Sequence, residues 1–119
     1  EVAPKSAEKK TLERFFNSFA SAENANLRAD AVYMLKGLKE KDSLRVIAGL
    51  LGDSNVEIRR NACRVMAETE DAEGYFVKPL MGVLYDKEPA VRIAAAEAKR
   101  ELVRSGEDEA KAEAAQLVR

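Results

Sequence analysis

Cys63 is the only thiol in the chain, and no histidine stands among its 119 residues to activate it. Ser-His and Cys-His nucleophiles are therefore out of reach, as are most metal-ligand sets. A reactive Cys63 would need a cationic neighbour or a helix N-terminus to stabilise its thiolate. It occupies a place that Val32 and Ala96 fill elsewhere in the chain, so a packing role is expected. The carboxylate pairs Glu68 with Glu70 and Glu107 with Asp108 fall in charged stretches that a solvated surface explains. The six glycines are scattered, and no phosphate-cradling loop is formed from them. A non-catalytic chain with no cofactor and no metal is the expectation.

Binding chemistry has more to work with. Arg59, Arg60 and Arg64 cluster, but Glu57, Glu68 and Glu70 surround them. The 20 basic and 21 acidic residues are well mixed and leave a net charge of −1. A nucleic-acid binder usually carries a basic excess, because neutralising phosphates supplies most of its affinity. Nucleic acid is thus a poor partner and a protein the better one. No apolar run is long enough to span a membrane.

The elements that position these residues come in copies. "NANLRADAVYML" (Asn24–Leu35), "NVEIRRNACRVM" (Asn55–Met66) and "EPAVRIAAAEAK" (Glu88–Lys99) superimpose without gaps, at offsets of 31 and 33 residues. Each places an aliphatic residue, Arg, two variable positions and Ala in series: Leu27-Arg28…Ala31, Ile58-Arg59…Ala62, Val91-Arg92…Ala95. Upstream, Phe16 and Phe19 align with Ile47 and Leu50, then with Leu80 and Val83. Each unit reads as helix, short turn, helix. Asn24, Asn55 and Glu88 stand at the N-caps of the second helices, with Pro89 preset for a first helical turn. Helices are expected at about 7–20, 25–39, 43–51, 56–69, 73–85, 89–104 and 107–118. Pro79 requires the fifth to kink or to begin close to it.

With Asp53 and Asp86 five residues ahead of Ile58 and Val91, the pattern D-x-x-x-x-[I/V]-R-x-x-A resembles the HEAT-repeat family. The short period is similar to compact bacterial and archaeal HEAT-like repeats, including those of the phycobilisome-lyase type. The resemblance covers about residues 8–104. The first unit departs from it with Ala22 at the turn, and the third with Lys99 where Leu35 and Met66 are apolar.

The resemblance implies an all-α fold: a right-handed α-α superhelix (a HEAT-like solenoid) of about three helical-hairpin repeats plus a C-terminal helix. The expected layout is a flexible tail at 1–6 and a single domain at 7–119. Its repeats run over about 7–40, 42–71 and 72–104, and a helix at 107–118 caps the end rather than opening a fourth unit. Single helical pairs cannot bury their apolar faces alone, so stacking makes one continuous core. Leu27, Ile58 and Val91 should face it, with Ala31, Ala62 and Ala95. The resemblance further implies that each turn aspartate and the arginine after it link adjacent repeats, Asp53 and Asp86 pairing near Arg59, Arg92 or a backbone N–H, with Arg28 counted among these inter-repeat residues. The alternative is that these arginines are merely solvated.

The resemblance also implies that the second helices line a concave, partner-binding side. Its polar stripe comprises Ala29, Asp30, Tyr33 and Lys36; Arg60, Asn61, Arg64 and Glu68; and Ile93, Ala94, Glu97 and Arg100. Tyr33 and Ile93 are an aromatic and an aliphatic on a supposedly wet face. Tyr and Arg are frequent interface anchors, whereas scattered exposed apolar residues are ordinary on any protein. Tyr33, Arg60, Asn61, Arg64, Ile93 and Glu97 are the candidate contact residues. A monomeric protein-binding scaffold follows. Its alternatives are an accessory of a bilin-lyase system and a DNA-binding HEAT-like domain. A lone cysteine needs no oxidising compartment, so a cytoplasmic address is expected, with export after removal of a leader as the alternative.

Overall fold

The computed structural model describes the backbone of residues 2–38, 41–69 and 75–117, with the side chains of 2–7, 9, 13, 38, 41 and 42 outside that description. Six α-helices and no strand occur among the described residues. They are α1 (Val2–Ala20), α2 (Ala25–Leu38), α3 (Lys41–Gly49), α4 (Val56–Glu68), α5 (Val77–Val83) and α6 (Pro89–Leu117). A 3-10 turn, Leu50–Gly52, closes α3.

Local chemistry starts the second helix of each unit. The Asn55 side chain accepts hydrogen bonds from the backbone N–H of Glu57 at 2.9 Å and Ile58 at 3.3 Å. The Asn24 side chain likewise accepts from Asn26 N–H at 2.8 Å. In the third unit the Glu88 carbonyl accepts from Val91 and Arg92, and Pro89 opens α6 where a missing N–H costs nothing. Pro79 is the third residue of α5, so the helix begins close to it. Its ring then meets no preceding turn.

The second helices pack in series, α2 on α4 and α4 on α6, while α1 covers α2 and α5 covers α6. The molecule measures 54 × 48 × 16 Å, and the thin dimension fits two layers of helix. Between them lies one cluster that includes Val32, Leu35, Ile47, Ile58, Ala62, Met66, Phe76, Leu80 and Val91. Alanines 31, 62 and 95 are fully buried in it, where a small side chain lets helices approach closely.

Three expectations need correction. Ile58 and Val91 are buried, but Leu27 is 37% exposed. α2 packs on α4 alone among the second helices, whereas α4 packs on both α2 and α6. Residues 2–6 of the expected tail are instead the start of α1, which runs from Val2 with Pro4 in its first turn, and residue 1 lies outside the described residues. The separate helix at 107–118 is not separate either. α6 continues without a break from Pro89 to Leu117, a length of about 43 Å.

Residues 103–117 are all exposed, including Ala110, Ala114 and Leu117, so this segment stands off the stack rather than capping it. Val118 lies outside the described residues. The reason is propensity: one glycine costs about 1 kcal/mol in a helix. The Glu-, Lys- and Ala-rich run after Gly106 outweighs that cost.

Candidate interaction surface

Arg28 on α2 and Arg59 on α4 each perform the same two tasks. One edge of the guanidinium ties down the turn before its own helix. Arg28 Nη1 donates to the carbonyls of Ala22 (2.9 Å) and Glu23 (2.8 Å), and Arg59 Nη1 to those of Asp53 (2.8 Å) and Ser54 (3.2 Å). The other edge grips the turn aspartate of the next unit. Arg28 holds Asp53 through bonds of 2.8 and 3.1 Å, and Arg59 holds Asp86 through bonds of 2.9 and 3.2 Å. Each aspartate also accepts from a backbone N–H two residues on, that of Asn55 or Glu88, at 2.9 Å. The result is a ladder of paired charges along the seam between units.

The ladder sets its own electrostatics. Burial works to raise the Asp53 carboxyl, but the bond from Arg28, the Asn55 N–H and the charges of Arg28 and Arg59 outweigh it and leave it lowered. Asp86 is lowered chiefly by its bond from Arg59, against a smaller opposing effect of burial. Both stay ionised at neutral pH, as a forked arginine contact requires. Arg92 differs: its Nη1 donates to the Asp86 carbonyl at 2.7 Å, but it grips no carboxylate among the described residues.

On the exposed side of the second helices, Tyr33, Arg64 and Glu97 occupy equivalent positions in α2, α4 and α6, and all three are exposed. One turn towards the N-terminus, Arg60 is half-buried and Ile93 exposed. Asn61 is half-buried beside them. Tyr33 is 53% and Ile93 59% exposed, which makes them the large apolar side chains of this face. Arg60 lies 3.4 Å from Glu57, a weak pair within one helix, and Arg64 has no carboxylate partner among the described residues. Ala94 leaves the stripe, because it is buried against the stack.

Sequence reasoning did not pair Lys36 with Glu68. Their side chains meet at 2.6 Å and tie α2 to α4 across the same face. A signal for it existed: Lys36 aligns with Ala67, the neighbour of Glu68, so the two are displaced by one residue in adjacent units. The exposure of Leu12 and Phe15 was also missed. They align with Ser43 and Val46, then with Phe76 and Pro79, of which Ser43 and Phe76 are fully buried.

Cys63 is fully buried, and burial pushes its thiol up to about 11, with the charge of Asp86 adding to the effect. Such a thiol is no nucleophile at neutral pH. Glu107 and Asp108 are exposed, and Glu70 lies outside the described residues. No group of three or more acidic or cysteine side chains is placed to hold a metal among the described residues. A groove of about 360 Å³ opens between the end of α4 and α6, lined by Glu68, Thr69, Leu102, Gly106 and Asp108 among others. No helix among the described residues is long and apolar enough to cross a membrane.

Serially packed helical pairs, tied at two turns by an arginine that reaches into the next unit, define an α-helical repeat protein. A model of HEAT repeats matches residues 12–98, and the chain belongs to that family. No curated protein matches the sequence.

Proposed function

We propose that the chain is a protein-binding scaffold that meets its partner with the exposed face of α2, α4 and α6. Membership of the HEAT family supports this reading, since such repeats typically serve as interaction scaffolds. The observation that carries it is the exposure of Tyr33 and Ile93 on either side of Arg64, which has no ion-pair partner among the described residues. Arg60, Asn61 and Glu97 supply polar contacts around these anchors. The buried packing of α2 on α4 fixes their register, with the Lys36–Glu68 pair across its exposed edge, so the face is presented largely preformed.

Signs alternate along the face, with Arg60 and Arg64 set among Glu57, Glu68 and Glu97. That arrangement suits a protein surface of mixed charge better than a phosphate backbone. The module works as a monomer in a reducing compartment such as the cytoplasm, where buried Cys63 stays reduced.

The test is affinity capture from the native source with the wild-type chain and with a Tyr33→Ala/Arg64→Ala variant, partners being quantified by mass spectrometry. A specific partner should be recovered about tenfold less by the variant, at an unchanged melting temperature. Equal recovery by the two proteins would remove this face from the function.

A further inference from the structure

We infer that Asp53 and Arg59 form a relay between the two seams, so that loosening the junction of α2 with α4 weakens the grip at the junction of α4 with α6. Asp53 is held by arginines from two adjacent helices. Its carboxylate takes the fork of Arg28 at 2.8 and 3.1 Å, and its main-chain carbonyl takes Arg59 Nη1 at 2.8 Å. Arg59 in turn closes its other edge on Asp86 at 2.9 and 3.2 Å. A continuous path therefore runs from α2, through one turn aspartate and one guanidinium, to the turn before α6. Its two ends, Arg28 and Asp86, belong to different seams.

Three features make this path transmit a displacement. The guanidinium is a rigid plane whose donors are fixed relative to one another. A shift of the Asp53 carbonyl thus turns the edge that faces Asp86, and hydrogen bonds weaken steeply as they bend. Asp53 also opens the turn between Gly52 and Val56, outside any helix. Apart from Arg28, its side chain accepts the Asn55 N–H of that same turn at 2.9 Å, so Arg28 is its polar tie to the preceding unit. Finally, the path is largely shielded: the side chains of Arg28, Asp53, Arg59 and Asp86 are 16%, 7%, 7% and 12% exposed. Bonds in such surroundings reinforce one another, because water does not readily replace one that is stretched. The charge of Arg59 also acts on the Asp53 carboxyl, alongside that of Arg28. Whatever displaces α2 is then felt at α6, although α4 lies between them.

The experiment is a double-mutant cycle between the two ends of the path, read by urea unfolding of the full chain. Asp86→Ala should raise the unfolding constant about thirtyfold in the wild type. In an Arg28→Gln background, where Arg59 is already loosened, it should raise it only about fivefold. Val32→Ala is the control. Val32 is fully buried one turn along α2 from Arg28, so its truncation weakens packing and leaves the ladder in place. In that background Asp86→Ala should keep its full effect. A second readout needs no unfolding: the Arg59 Nε–Hε signal by NMR, assigned by its loss in Arg59→Lys. It should move, and exchange with water about tenfold faster, in Arg28→Lys but not in Val32→Ala. An undiminished effect of Asp86→Ala in the Arg28→Gln background would overturn the proposal by making the seams independent. An equal reduction in the Val32→Ala background would overturn it too, by assigning the coupling to packing. So would an Arg59 signal that Arg28→Lys leaves unchanged.

Discussion

Arg59 and Asp86 join α4 to the turn before α6 through two parallel hydrogen bonds of 2.9 and 3.2 Å, with side chains 7% and 12% exposed. A forked pair so nearly enclosed leaves an uncompensated charge when one partner is removed. Asp86→Ala is therefore expected to cost about 2 kcal/mol, between the values for surface and for fully buried pairs. Urea unfolding of the two proteins measures it; a loss within error of zero would mean that the seam is held by apolar contact alone.

The same pairs give stability a pH dependence of definite sign. Asp53 and Asp86 are lowered from the usual 3.8 in the folded chain. A proton therefore binds the unfolded state more readily, and falling pH favours unfolding. The contribution is complete above about pH 5. It fades as pH passes 3.8 towards the lower folded values. In an Asp53→Asn/Asp86→Asn variant, the melting temperature should fall less steeply than in the wild type between pH 5 and about pH 3. Parallel curves would place the acid sensitivity elsewhere.

Equivalent residues should differ in worth according to their unit. Ile58 is fully covered, and Ile58→Ala is expected to cost about 3 kcal/mol by removing packed atoms and leaving a cavity. Leu27 stands in the same repeat position but is partly open to water, so Leu27→Ala should cost about 1 kcal/mol. Denaturant midpoints of the two variants decide the point. Equal losses would show that the first unit is covered as well as the second.

The continuity of α6 is open to a simple substitution. An added Cβ at Gly106 meets no atom within 4 Å. Gly106→Ala should therefore stabilise the local helix by about 1 kcal/mol. Amide exchange over residues 103–112 should slow about fivefold, and helical circular dichroism should rise. A helix broken at Gly106, with the glycine serving as its cap, would instead exchange faster in the variant.

Much of the fold was legible because its signals are short-range. The Asn55 cap, the Pro89 helix start and the periodic burial of Ile58, Ala62 and Val65 are decided within a few residues of chain. The exposed face of the second helices was legible in part, since Tyr33, Arg64 and Glu97 share one position of the repeat. Ala94 was misplaced because its burial depends on how closely α6 sits against α4, which no local pattern states. Lys36–Glu68 escaped notice because its members occupy neighbouring rather than equivalent positions.

The sequence by itself determined the unit: its two helices, its capped turn, and the aspartate and arginine that every junction would use. Local hydrogen bonding and apolar periodicity are enough for that. Only the tertiary structure decided which turn each arginine reaches, that Leu27 meets water, and that α6 runs unbroken from Pro89 to Leu117. Each of these depends on whether a neighbour is present and where it lies, and the interactions that set them act between units rather than along the chain.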